Sequence, residues 1–375
     1  MADFAYHFAF AMNPTQLADH PAFRNLKRYA PMLAFFGGFL WDALTLGRKV
    51  KVLDFWVLGG YLLGAAVFIY WLARRDFLSH EPPEEEDGLR GRWNGLLWQA
   101  PYLLVQFFFG GIFSALFILY FKSSNHIGAW LMALFLGGLL VGNEFMKERY
   151  GRRFTTVWGL FGLNAILLFN FVLPHLAGSL HPGWFYLSTG LGVALAHGLR
   201  WISPGRPGRI LPAWCVAGAL VLAWNLDMIA PVPLVNREVV IGHNFDRAPG
   251  RFALKVEKPP FWQFWRDWAR TVYVPEGGRI YGVSAVFAPL GVTAPLEHRW
   301  EYHDPSSGWR QLYQARFSAS GGRERGFRGY SYVTNPKPGE WRLVVATQDG
   351  RTIAVQPVTV ERGDPVVEDM VEKEF

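Results

Sequence analysis

Windows of about 20 apolar residues, the length a helix needs to cross a hydrocarbon layer roughly 30 Å thick, recur through the first 235 residues and then stop. Seven can be drawn, at 29–47, 52–73, 102–121, 127–146, 154–173, 184–199 and 213–235. Behind them the period changes to short alternating segments separated by Gly, Pro and Asp-Gly, as in an antiparallel sheet. The predicted fold class is therefore a membrane α-helical bundle of about seven transmembrane helices, followed by an all-β, immunoglobulin-like sandwich at the C-terminus. Averaging over the chain, 51% hydrophobic and 18% charged, hides this division.

Four stretches follow from that division. Residues 1–28 are expected to be a cytoplasmic N-terminal segment. The polytopic domain spans 29–235 and includes an acidic cytoplasmic loop, 74–101, with Glu81, Glu84, Glu85, Glu86 and Asp87 around two prolines. The extracytoplasmic sandwich covers 236–360. The tail 361–375 has six acidic and two basic residues, too polar to bury much, and is expected to be disordered.

Loop charge sets the sidedness. With the N-terminus inside, the inner segments hold 14 Lys and Arg, among them Arg74, Arg75, Arg152, Arg153, Arg200, Arg206 and Arg209. The outer loops hold four, Arg48, Lys49, Lys51 and Lys122. Seven crossings then leave everything after Val235 outside the cytoplasm.

Within the helical part, Ala30-Pro31 and Phe35 to Gly38 recur as Ala100-Pro101 and Phe108 to Gly111. Leu58-Gly59-Gly60 to Gly64 recurs as Leu136-Gly137-Gly138 to Gly142. These matches suggest a duplicated hairpin, and the Gly60/Gly64 and Gly138/Gly142 spacings suit close helix packing in lipid. The single cysteine, Cys215, cannot form an internal disulfide and reads as a small buried hydrophobe.

In the sandwich, strands are predicted at 237–243, 252–257, 279–288, 296–303, 308–318, 327–333, 340–348 and 351–360, the last two joined by the hairpin signal Asp349-Gly350. Between them, Phe261, Phe264, Trp265, Trp268 and Val272 fall at helical spacing, which predicts an amphipathic helix over 259–271. Its Trp-rich face either caps the core or lies in the membrane interface. Residues 236–360 carry 17 basic and 11 acidic side chains. Arg323, Arg325 and Arg328 beside Tyr330 form the densest cluster, the candidate surface for an anionic lipid or envelope polymer. Leu296, His298, Trp300 and Tyr302 share one strand face, which makes His298 a hydrogen-bonded core residue.

The runs Leu296-Glu-His298-Arg-Trp300, Gly326-Phe-Arg328-Gly-Tyr330-Ser331, Pro338-Gly339-Glu-Trp341-Arg-Leu-Val344 and Asp349-Gly350-Arg resemble the bacterial domain of unknown function 2914. There a His-x-Trp, an Arg-x-x-Ser and a Gly-x-Trp-x-Val strand recur, often at the C-terminus of a polytopic membrane protein. The resemblance covers about 85 residues and implies a β fold, a bacterial origin and an envelope location, so the expected place is the bacterial inner membrane with a periplasmic C-terminal domain. It supplies no catalytic residue.

Ionisable groups inside a bilayer are the default candidates for chemistry. Here they are Asp42, Glu144 beside Asn143, His197 and Asp227. No phosphate-binding Gly-rich loop, nucleophile elbow or zinc-protease motif is present. His175 and His181 lack nearby acidic or Cys ligands, so no metal or cofactor is expected. The dispersed basic residues argue against nucleic acid. The first functional reading is a non-enzymatic membrane protein whose sandwich binds an envelope component or a membrane or periplasmic protein partner. The second is a small-molecule or lipid transporter, or a lipid-modifying enzyme, with a polar site between the helices.

Overall fold

A computed structural model of the chain describes residues 52–78, 89–123, 126–145, 154–248, 251–264, 266–322, 326–365 and 370–375. Six helices come first: α1 (Val52–Phe77), α2 (Leu89–Ser123), α3 (Ile127–Phe145), α4 (Phe154–Ala177), α5 (Gly183–Ile202) and α6 (Leu211–Asn225). The most enclosed is α4, buried almost all round because α1, α2, α5 and α6 pack against it. Of its neighbours, α2 is also buried on several faces over 112–120, whereas α5 and α6 bury one stripe each. In α6 the stripe is Ala213, Ala217, Leu220 and Trp224, at i, i+4, i+7 and i+11, the repeat of one helix face. Large apolar side chains on the remaining faces are exposed, among them Trp56, Leu63, Val67, Leu134, Leu195 and Trp214.

Three stretches among the described residues are long and apolar enough to cross a membrane: Leu53–Phe77, Ala100–Ser123 and Phe154–Ala177. The expected count of seven is therefore not reached. The window 29–47 lies outside the described residues. The apolar stretches Trp130–Leu139 and Leu211–Asn225 are shorter, and α5 is diluted by Gly, Ser, Thr, His and Arg. The window 213–235 divides, because the helix stops at Asn225 and Asp227 takes a positive φ of 54°. Fifteen helical residues rise only about 22 Å, short of a hydrocarbon core.

The expected loop 74–101 is helical up to Phe77 and again from Leu89. Its acidic run lies outside the described residues. Packing explains the extension of α2, since the Arg75 guanidinium lies 3.9 Å from the Trp98 ring and 4.9 Å from that of Tyr102. It also donates to the Trp98 carbonyl at 2.7 Å. Of the paired glycines, Gly64 abuts the Phe108 ring of α2, so a Cβ there would come within 2.7 Å of it, whereas Gly60, Gly138 and Gly142 face open space. Half of the suggested repeat lies before residue 52, outside the described residues. Cys215 is exposed, correcting the expectation of burial, because it falls off the Ala213/Ala217 stripe.

Ten strands follow: β1 (Val235–Ala248), β2 (Arg251–Glu257), β3 (Thr271–Val274), β4 (Arg279–Phe287), β5 (Thr293–Asp304), β6 (Gly308–Ser320), β7 (Phe327–Thr334), β8 (Gly339–Thr347), β9 (Thr352–Arg362) and β10 (Met370–Glu374). They form two sheets, ordered β10-β2-β1-β4-β7 and β3-β9-β8-β5-β6. Every pairing is antiparallel except β3 with β9. Between the sheets lie Val239, Ile241, Ile280, Leu296, Trp300, Trp341, Leu343, Val345 and Val358. An irregularity between His243 and Asp246 lets β1 pair with β4 along its first half and with β2 along its second.

Two expectations are corrected here. Residues 259–271 make no helix: Pro260 is extended, a single 3-10 turn covers Phe261–Gln263, and Thr271–Val274 joins β9. Sheet hydrogen bonds at both ends, Ala269 N to Glu257 O and Thr359 N to Arg270 O, override the helical spacing. Trp268 packs on the outer face of the first sheet, while Phe261 and Phe264 are exposed. Trp265 lies outside the described residues. The tail is not wholly disordered either, because β10 pairs with β2 and buries Phe375. Opposite charges favour that pairing: Glu372 faces Lys255, and Lys373 contacts Glu238 at 2.6 Å.

A candidate binding cleft on a clamped sandwich

The polar residues proposed for a membrane site are not gathered. Asp42 lies outside the described residues. His197 is on the exposed flank of α5, off the buried stripe of Phe185, Ser188, Thr189, Gly192, Val193 and Ala196. Asp227 stands beside the start of α3, where its carbonyl oxygen lies 2.8 Å from His126 Nε2. Asn143 and Glu144 end that helix, 16 residues and so about 24 Å further along its axis. Among the described residues no group of His, Cys, Asp and Glu is arranged to hold a metal ion.

Asp227 belongs instead to the joint between helices and sandwich. Its carboxylate accepts a hydrogen bond from Thr352 N, at 3.2 and 3.4 Å to the two oxygens. The β8–β9 turn that ends at Thr352 also presents Arg351, whose guanidinium lies 4.1 Å from the Trp224 ring centre and donates to the Trp224 carbonyl. Trp224 in turn stacks on Phe185 of α5, at 4.3 Å and 6° between planes. A second strut is the α4–α5 loop, where Thr293 N donates to Gly178 O and Leu180 packs on the sandwich core. Between the struts lies a cavity of about 30 Å³ lined by Asn170, Trp224 and Arg351 among others. That is room for one water, and it adjoins the buried Asn170 Oδ1 and Trp224 Nε1, which have no hydrogen-bond partner among the described residues.

Inside the sandwich a polar cluster crosses from sheet to sheet. His298 on β5 is wholly buried, with Nε2 2.7 Å from Ser284 Oγ on β4 and Nδ1 2.8 Å from Ser331 Oγ on β7. Trp300 Nε1 donates to the same Ser331 oxygen at 2.9 Å. Burial pushes the imidazole down to about 3, so it is neutral at physiological pH and offers one donor and one acceptor to its two serines. The cluster is a brace.

Above this brace the two sheets part. β6 and β7 end their sheets on the same side, and between them opens a cleft of about 500 Å³. Trp300 and Phe317 form its floor, and Tyr313, Tyr330 and Tyr332 stand at its mouth. At one end Phe317 closes against Gly329, where a Cβ would come within 2.4 Å of the ring. Arg247, Arg316 and Arg328 also line the cleft, and among the described residues no acidic side chain does. Arg316 is partly countered by Glu297 at 3.8 Å. Tyr330 is held by Phe245, stacked at 4.5 Å. Of the predicted basic surface, Arg328 and Tyr330 thus sit at the cleft, whereas Arg323 and Arg325 lie outside the described residues. Arg247, Arg316 and Tyr313 were missed because nothing in sequence brings β1, β6 and β7 together.

Residues 294–360 match the family described as protein of unknown function (DUF2914). The DUF2914 segment runs from β5 to β9 and contains both cleft walls and three of the four brace residues; Ser284, Arg247 and Phe252 come from strands before it. No curated protein matches the chain. Solved structures with similarity include an immunoglobulin-like protein from Pseudomonas aeruginosa, with 12% identity over 32% of this chain and 97% of that one and a TM-score of 0.19. A β-glucosidase from Listeria innocua aligns at 9% identity over 34% of this chain and 16% of its own, with a TM-score of 0.18. The alkylpurine DNA glycosylase AlkC of Pseudomonas fluorescens aligns at 11% identity over 79% and 76%, with a TM-score of 0.20. Scores of this size lend no activity to this chain.

Proposed function

We propose that the protein is a non-enzymatic bacterial inner-membrane protein, N-terminus in the cytoplasm, whose helices hold a periplasmic sandwich that binds an anionic envelope component or a protein partner. The observation that carries this reading is the cleft between β6 and β7, an arginine- and tyrosine-lined opening of about 500 Å³ with a well-braced floor. Arg and Tyr are the residues most enriched where binding energy concentrates. The sidedness has its own support. Arg74, Arg75, Arg200, Arg206 and Arg209 lie at the helix ends away from the sandwich, where Arg209 N meets Thr155 and Trp158 Nε1 donates to Pro207 O. That is the distribution expected of cytoplasmic ends. The transport reading has less to rest on, since Asp227 already binds the sandwich.

The test is mass spectrometry of lipids, glycans and proteins that co-purify with the full chain and with two variants. Loss of a species in Arg328→Glu/Tyr330→Ala, and its retention in Glu144→Gln/His197→Ala, is the expected result. The reverse pattern would move the function to the helices.

A further inference from the structure

We infer that the cleft receives an extended, acidic segment of another protein, which adds as a strand to the edge of β7 or β6. This inference rests on the binding role proposed for the cleft and specifies its ligand. The walls are two consecutive runs of backbone, 313–317 of β6 and 327–332 of β7. Each strand ends its sheet, and among the described residues no further strand is hydrogen-bonded to its outer edge. A sheet edge is a template for another strand, and natural sheets guard long edges with Pro, Lys, bulges or a covering element. The opposite side of the sandwich is guarded by brevity, with β10 five residues long and β3 four. β6 has 13 residues and β7 eight, with no Pro or Lys in either; β6 has one bulge, at Leu312 opposite Trp300 and Glu301, so its run on the cleft, 313–317, lies to one side of it, and the pairing of β7 with β4 is regular.

The side chains select which strand would bind. Added main chain hydrogen bonds give affinity, and alternate side chains of the incoming segment fall on opposite faces and give specificity. On the inner face they would meet Phe317, Tyr313 and the Trp300 edge, which suits apolar residues. On the outer face of β7 they would meet Arg328, Tyr330 and Arg247, which suits Asp or Glu. The fitting ligand is therefore a stretch of about five or six residues in which apolar and acidic side chains alternate, roughly 17–20 Å long.

A random twelve-residue peptide display library, panned on the full chain in lipid nanodiscs, tests this. Expected is enrichment of alternating acidic and apolar sequences. A synthetic peptide so selected should bind at least tenfold more weakly to Arg328→Glu and to Arg247→Glu, and at least tenfold more weakly when alternate backbone amides are N-methylated. Thermal melts of both variants check that they remain folded, and Arg247, exposed at the end of β1, is the safer of the two. Enrichment of nothing, or N-methylated peptides that bind unchanged, would overturn strand addition. So would binding of polygalacturonate, an anionic polysaccharide, at the same arginines without any selected peptide. In those cases the co-purification test still stands separately: a species lost from the Arg328→Glu/Tyr330→Ala protein keeps the cleft as a binding site with a different ligand, and no such species removes the binding role itself.

Discussion

The sandwich is specified at the level of single side chains by the four-residue brace of Ser284, His298, Trp300 and Ser331. Its members come from three strands and both sheets, so it fixes their register as well as their separation. Removing the shared hydroxyl with Ser331→Ala leaves two buried groups, His298 Nδ1 and Trp300 Nε1, without that partner, and should lower the unfolding free energy by about 2–4 kcal/mol in denaturant titration. A loss below about 0.5 kcal/mol would show that the brace is dispensable. The same cluster sets a pH dependence. The unfolded imidazole takes up a proton near 6.5, the folded one only near 3. Its contribution is complete above about pH 6.5 and is lost as pH falls from there towards 3, at up to about 1.4 kcal/mol per pH unit. Denaturation of the parent and of His298→Gln at several pH values should show the steeper acid loss in the parent, and parallel curves would refute it. From sequence, strand parity alone was enough to place His298 in the core. Its serines were not legible, because they stand 14 and 33 residues away and sequence carries no record of which strands face each other.

Among the elements, most strands between 235 and 360 lie close to where the alternating segments and their turn residues place them, although burial alternates cleanly only in some, such as β7, while β4 and β8 are buried on both faces for part of their length. The failures are the two places where pairing outweighs local pattern. Residues 259–271 have helical spacing, yet the segment bridges the β2 edge to β9 and is drawn into extended backbone at both ends. The acidic tail has no apolar run, yet five residues beside the basic β2 suffice once Phe375 is buried. Phe375→Ala should cost about 2 kcal/mol and speed amide hydrogen exchange in β2, measured on the intact protein. Unchanged exchange at 253–257 would mean that β10 contributes no protection. In the helical part, apolar windows gave the helices but overstated the spans. They do not register that α6 stops at Asn225, where the chain must turn into the joint.

At the scale of the molecule, helices and sandwich meet through Asp227, Trp224 and Arg351 on one strut and Gly178, Leu180 and Thr293 on the other. Two separated struts resist rotation where a single linker would not. The residues concerned looked unrelated in sequence: Asp227 read as an intramembrane carboxylate, and Arg351 as the residue after a hairpin turn. Once docked, the Asp227 carboxylate has a backbone N–H to accept from and the Arg351 guanidinium an aromatic face to cover. The central claim is that this joint holds the cleft at a fixed position relative to the membrane helices. It is tested most directly by a distance distribution between two spin labels on the full chain in nanodiscs, one at the exposed native Cys215 of α6 and one at Ser306→Cys in the β5–β6 turn. A single narrow distribution that broadens in Asp227→Ala/Arg351→Ala is the predicted result. A broad distribution in the parent, unchanged by the double substitution, would contradict it.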